Sequence, residues 1–322
     1  MKSRDYSLDI LRTIGILLIF LAHTECSFLI KQLRNFDVIL LVIISGYVYK
    51  EPQNYFNYIW KRMKRLAFPT WTFLTIFFLS IYLVKYIFNV EINILNVKTI
   101  ASSYLFWLGI GFVWIIRVYI GTSILSPILL KKLNGNLIYI LVEIFTLIII
   151  KNYKYDEIIK MMFLLPYILI FCYGKLLKDE KISLKKFTLV LGILIIAFMV
   201  LKKDIYINIQ NYKYLPRMVY IWYGIFVSNL LFLIKDKINL KNKILNNFCK
   251  YIGKSTMWFY LLHIIIYYFI TFLKKYVIDL NWIVEYIFLV ILSLFILVVK
   301  DYILRKLYKI FPDNNFLKLF EG

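Results

Sequence analysis

Three cysteines in 322 residues, Cys26, Cys172 and Cys249, are odd in number and widely spaced, with no CxxC pair. They exclude a disulfide framework and a cysteine zinc site. Histidine is scarcer still, with only His23 and His263. No glycine-rich phosphate loop, internal repeat, low-complexity linker or soluble domain is visible, so any chemistry belongs to the apolar part of the chain. Acidic residues are also few, 18 against 40 Lys and Arg, for a formal charge of +22. In a soluble protein that excess points to nucleic acid. Here the basic residues fall between apolar runs, as loops beside anionic lipid headgroups require. The expected partner of the charge is therefore the membrane, not nucleic acid.

What is abundant is apolar surface. The chain is 62% hydrophobic and 19% aromatic with a mean hydropathy of +0.74, against roughly 45–50% apolar residues in soluble proteins. It reads as an all-α polytopic membrane protein. At about 20 apolar residues per span, ten spans are expected near 8–30, 36–50, 66–88, 112–130, 136–151, 161–177, 187–201, 216–234, 255–273 and 281–300. The first run carries Arg12 and His23 and is followed by no small-x-small cleavage pattern, so it reads as a retained span rather than a signal peptide. The stretch 98–111 is apolar but rich in small residues, and reads as re-entrant or interfacial. Ten spans place both termini on one side. That side collects 25 Lys and Arg and the other 12, which makes the termini cytoplasmic. Residues 1–300 form the membrane domain. Residues 301–322 alternate apolar and basic positions at helical spacing, as an amphipathic tail on the inner leaflet does.

Polar residues inside such spans need a reason, because an unpaired charge in lipid costs several kcal/mol. At about 100° and 1.5 Å per residue, an unbroken first helix sets Arg12 and His23 about 20° apart and about 16 Å along the axis. Asp9 falls within about 60° of both. The bland reading is an interfacial Asp9–Arg12 ion pair and a packed histidine. A single stripe of three ionisable groups instead marks a site.

Four further places stand out. Arg62 and Arg65, three residues apart on one helical face before Pro69, suit a phosphate by bidentate charge-assisted bonds, or else serve as ordinary positive-inside anchors. Ser45-Gly46-Tyr47 closes the second span, where the glycine permits close helix approach and the serine is a packing hydroxyl or a ligand contact. Arg117, in Trp114-Ile-Ile-Arg117, needs a partner inside the membrane, with Glu143 and Glu285 as candidates. His263 either packs or lines a cavity.

Taken together these residues resemble the membrane acyltransferase-3 family, multi-span proteins that O-acylate bacterial surface polysaccharides. The resemblance rests on Leu8-Asp9-x-x-Arg12, the Arg12-x10-His23 spacing, Ser45-Gly46-Tyr47, Arg62-x-x-Arg65 before Pro69, the Trp114 to Pro127 segment and the Ser255 to His263 stretch. It covers nearly the whole chain. Trp114-Ile-Ile-Arg117 stands where many relatives have a Trp-Phe pair, and no hydrolase-like domain of the kind some members carry follows the last span.

The resemblance implies a bacterial plasma-membrane enzyme that uses acetyl-CoA or another acyl-CoA as donor and a polysaccharide or glycolipid hydroxyl as acceptor, without a metal. It implies that Arg62, Arg65, Ser45 and Gly46 bind the donor, with Arg12 deeper and held by Asp9. His23 is then the general base, for which an ordinary imidazole pKa near 6.5 is suited. An acyl-histidine intermediate stays open. Trp114, Arg117 and His263 are assigned to substrate, and a homo-oligomer is left open. The alternative is a glycan transporter or flippase, which usually shows inverted repeats or paired broken helices, neither of which is seen. A non-catalytic assembly subunit leaves the Arg12/His23 stripe unexplained.

Overall fold

The computed structural model describes residues 5–89, 91–107, 109–132, 162–179, 183–202, 208–213, 216, 218–238, 242–277, 280–312, 314 and 316–320. All regular structure among them is helical. The expected span 136–151, and with it Glu143, lies outside the described residues. Among the described residues, five helical stretches are long and apolar enough to cross a membrane: Tyr55–Phe88, Trp114–Lys131, Val219–Lys237, Thr256–Tyr276 and Trp282–Ile310. They coincide with the expected spans at 66–88, 112–130, 216–234, 255–273 and 281–300.

The chain divides into two compact units, each built from two separated stretches: residues 1–51 with 124–254, and residues 52–123 with 255–322. The first unit contains α1 (Tyr6–Leu21), α2 (Phe28–Leu33) and α3 (Asp37–Tyr47). Helix α6 (Trp114–Lys132) enters it at residue 124. There follow α7 (Leu165–Lys178), α8 (Leu184–Lys202), α9 (Met218–Ile234) and α10 (Lys243–Lys254). At its centre lies α3, whose residues Val38 to Ile44 are all buried. Eleven residues give a helix of about 16 Å, about half the hydrocarbon thickness. Being apolar all round, α3 is wrapped by protein, by α1, α7 and α9.

Helices in lipid gain little from the hydrophobic effect and depend on close packing. Gly46 of α3 lies directly against the Phe171 carbonyl of α7, and Gly174 of α7 against the Ile43 carbonyl of α3. A side chain at either position would strike backbone.

The expected first span is not one helix. Helix α1 stops at Leu21, and a turn over residues 22–27 precedes α2. The polar run at the break explains the stop. Thr24 donates its hydroxyl to the Leu21 carbonyl (3.0 Å), and the Cys26 thiol approaches the same oxygen at 3.7 Å. The Thr24 backbone N–H reaches that carbonyl too, at 3.3 Å, so backbone and side chains of the turn together replace the donor of a continuing helix.

A second polar knot ties α2 and α3 to the turn Ile209–Tyr212. Asp37, fully buried, accepts from Arg34 Nη1 (2.7 Å) and from Lys213 Nζ at both carboxylate oxygens (2.9 Å each). Arg34 Nη2 also reaches Gln210 Oε1 at 2.8 Å, and Gln32 bonds both Asn208 and the backbone N–H of Ile209.

The second unit contains α4 (Tyr55–Phe88), α5 (Val97–Tyr104), the start of α6, α11 (Thr256–Tyr276) and α12 (Trp282–Ile310). On α12, Ile283, Ile287, Ile291, Phe295 and Val298 are exposed while Glu285, Leu289, Ser293 and Leu297 are buried. One face thus packs on protein, and the other is apolar in the manner of a lipid-facing surface. The helix runs unbroken past residue 300, the expected end of the last span, to Ile310. The turn Leu317–Phe320 then folds back, with Phe320 stacked on Trp258 (5.4 Å) and its carbonyl accepting from Lys300 (2.8 Å).

Within the stretch 98–111, residues 98–104 belong to α5, and the other described residues, 105–107 and 109–111, are not helical. Trp71 of α4 donates to the Tyr104 carbonyl (2.9 Å) and stacks on Phe106 (5.8 Å). Phe106, Gly109 and Gly111 take positive φ values of 56°, 43° and 82°, which do not continue a right-handed helix.

Candidate functional site

In the first unit the ionisable residues of α1 form a pair. Asp5 caps the helix, accepting from the Ser7 N–H (3.0 Å), and sets its first turn. One turn later Asp9 Oδ1 lies 2.8 Å from Arg12 Nη1. The Asp9 side chain is fully buried, whereas the Arg12 side chain keeps 24% of its surface exposed. An arginine has five N–H donors, so a partner at Nη1 leaves the group able to bind a second anion.

His23 lies two residues past the end of α1, on the turn whose backbone N–H donates to the Phe20 carbonyl at 3.0 Å. It is half-buried. Because the helix has ended, its direction is set by this turn and not by the 100° step that relates Asp9 to Arg12. Glu25 follows in the same turn and is exposed.

Ser45 and Gly46 occupy the last turn of α3. The Ser45 hydroxyl donates to the Leu41 carbonyl (2.9 Å), and Gly46 is buried at the crossing with α7. The glycine thus serves the crossing with α7, while the serine hydroxyl turns back onto its own helix. Tyr47, next in sequence, contacts Phe232 (5.3 Å) and lies 5.7 Å below Lys235.

In the second unit Arg62 and Arg65 lie on the first third of α4, before Pro69. Pro69 lacks an N–H, so it gives no helical bond to the Arg65 carbonyl. Arg62 is half-buried with its guanidinium 5.1 Å from the Tyr58 ring, and Arg65 is exposed. Tyr58 in turn stacks on Tyr55. A cation thus backed by an aromatic face loses less freedom when it meets a phosphate.

Trp114 and Arg117 open α6. The Arg117 guanidinium lies 4.2 Å from the centroid of the Trp107 ring. Glu285, one carboxylate considered from sequence, instead meets Lys274 at 3.3 Å. His263 is fully buried in α11, edge-on to Phe112 (5.7 Å), with Nδ1 against the Tyr260 carbonyl. Tyr260 donates to the Phe112 carbonyl at 2.6 Å, which closes this packing around the ring.

Two residues carry little local signal in sequence. Trp107 belongs to a stretch marked by its small residues, and Asp37, a lone acid at the head of an apolar run, is the local sign of the knot with Arg34 and Lys213.

A family model described as an acyltransferase domain matches residues 5–301 of the chain. No curated protein and no solved structure matches it.

Proposed function

Because the chain belongs to the membrane acyltransferase-3 family and is an acyltransferase, we propose that it moves an acyl group, acetyl in the first instance, from cytoplasmic acyl-CoA to a hydroxyl of a surface polysaccharide or its lipid-linked precursor. In this reading it sits in a bacterial plasma membrane with about ten spans and both termini in the cytoplasm. The observation that supports it is the contrast between the two histidines. His23 is half-buried on the turn that ends the helix carrying Asp9 and Arg12, whereas His263 is enclosed by Phe112 and Tyr260.

His23 takes the proton of the acceptor hydroxyl as its oxygen attacks the thioester carbonyl. The carbon–sulfur bond breaks, and the proton passes to the departing thiolate. Such positioned proton transfer contributes about 10²- to 10⁴-fold. Arg62 and Arg65 are assigned to the donor's phosphates, and Arg12, braced by Asp9, to a further donor contact. Trp114 and Arg117 are assigned to the acceptor.

The test supplies the purified protein in lipid nanodiscs with radiolabelled acetyl-CoA and lipid-linked or polymeric bacterial envelope glycans. His23→Ala is expected to lower label transfer at least about 100-fold, and transfer that survives unchanged removes His23 as the base. Arg62→Ala is expected to raise the acetyl-CoA concentration needed for half-maximal rate. Absence of transfer from any acyl-CoA, together with glycan movement across vesicles, would replace the enzyme by a transporter.

A further inference from the structure

Helix α10 packs on α1, and the contact falls on the Asp9–Arg12 pair. Gly253 lies over Asp9. A Cβ at residue 253 would stand 2.6 Å from Asp9 Cβ, 2.8 Å from its Cα and 2.8 Å from Oδ1, the oxygen that bonds Arg12. No side chain fits there without moving the carboxylate. One turn earlier on α10, the Cys249 carbonyl lies 3.2 Å from the Thr13 hydroxyl, which also faces the Asp9 carbonyl at 2.9 Å. One hydroxyl hydrogen is thus shared between two carbonyls, one on each helix. Thr13, Cys249 and Gly253 are all buried. Further along the same interface Lys250 sits 4.0 Å above the Tyr6 ring.

We propose that Thr13 and Gly253 are positioning residues that hold Asp9, and through it the Arg12 guanidinium, in the setting in which Arg12 meets the acyl-CoA donor. This rests on the donor role assigned to Arg12 above. The physical case is that α10 closes over the acid and leaves the base accessible. With water excluded from Asp9, its bond to Arg12 acts in a low dielectric and fixes the guanidinium firmly. A fully buried carboxylate is costly unless paired, so the pair persists when no donor is bound. The space over residue 253 is taken up by Asp9 itself, its Cα and Cβ as well as the oxygen that bonds Arg12, so any side chain there presses on the whole acid. A glycine at this position avoids that, and the threonine keeps the two helices in register.

The experiment measures the dissociation constant for coenzyme A with the full chain in nanodiscs, so that inactive variants still report. The variants are Gly253→Ala, Thr13→Val and Thr13→Ser, each alone and combined with Arg12→Ala. Gly253→Ala and Thr13→Val are expected to weaken binding roughly tenfold, the scale of one charge-assisted hydrogen bond, and Thr13→Ser to restore it. On the Arg12→Ala background the same substitutions are expected to add nothing, because the interaction they support is gone.

Wild-type affinity in folded Thr13→Val overturns the proposal, and so does an equal loss on the Arg12→Ala background, which marks a purely structural role. Should Gly253→Ala fail to fold, Thr13→Val decides. Unchanged affinity in Arg12→Ala removes the donor role itself, a failure distinguishable from that of the clamp alone.

Discussion

The Arg117 guanidinium lies 4.2 Å from the centroid of the Trp107 ring, while Trp107 itself is 51% exposed. The charge at the head of α6 is thereby met by an aromatic face presented from the turn after α5. That turn is braced by the Trp71–Phe106 stack and by the Ile110 N–H, which donates to the Ser103 hydroxyl at 3.0 Å.

If Trp107 sets the direction of Arg117, then Trp107→Ala weakens use of the acceptor more than use of the donor. A cation–π contact is worth about 0.5–2 kcal/mol, so the acceptor concentration for half-maximal rate rises roughly 2- to 30-fold. Trp107→Phe, which keeps a weaker aromatic face, falls between. Initial rates at varied acceptor and saturating acetyl-CoA measure this, and an effect confined to acetyl-CoA would contradict it.

Tyr58 backs Arg62 in the same manner at 5.1 Å. Tyr58→Leu keeps bulk and removes the aromatic face, so the half-saturating acetyl-CoA concentration is expected to rise about two- to fivefold, for roughly 0.5–1 kcal/mol. Arg62→Ala should exceed that, and the double variant should equal Arg62→Ala. A larger effect for Tyr58→Leu than for Arg62→Ala would show that the tyrosine acts independently.

The sequence made some elements legible because their signal is local. Long apolar runs reported the five helices able to cross a membrane, and the three-residue spacing of Asp9 and Arg12 reported their contact. The Ser45-Gly46-Tyr47 glycine was readable as a close helix approach, which it makes with Phe171. Hydropathy could not reveal that residues 8–30 are broken at Leu21, since the break lies in a tight turn whose Thr24 N–H and hydroxyl and Cys26 thiol all return to one carbonyl. Likewise the contact of Arg117 with the Trp107 ring leaves no trace in a search for opposite charges. Asp37 and Lys213 lie 176 positions apart in sequence, and only folding places them together.

The crossing of α3 and α7 is where stability should be most sensitive. Gly46→Ala places a methyl against the Phe171 backbone carbonyl, which has no rotamer by which to yield. Overpacking of this kind costs about 1–3 kcal/mol. Ser45→Ala removes only a bond back to Leu41 within the same helix and should cost less than about 1 kcal/mol. Unfolding midpoints in detergent, followed by tryptophan fluorescence, compare the two. A Ser45→Ala variant less stable than Gly46→Ala would show that the hydroxyl matters beyond α3.

The knot of Arg34, Asp37 and Lys213 makes stability depend on alkaline pH. Burial pulls the Lys213 ammonium down from its usual 10.5 to about 8, against the opposing pull of Asp37 and with a further push downward from Arg34. Two cations share one carboxylate, so the lysine is the group that gives up its proton. Between pH 8 and 10.5 the folded chain has released this proton while the unfolded chain still holds it. Stability from this group therefore rises with pH across that window, and the cost of burying the charge is borne in full below about pH 8. Lys213→Met keeps the side-chain volume, leaves Arg34 paired with Asp37, and removes the titration. The difference in unfolding midpoint between wild type and Lys213→Met should shift in favour of wild type as pH increases from 7.5 to 10. At pH 7 Lys213→Met should be neutral or stabilising, since replacing a buried ion by an apolar group of similar volume often is. A difference that stays constant over the pH range, or moves against wild type, would show that Lys213 keeps its charge in the folded protein.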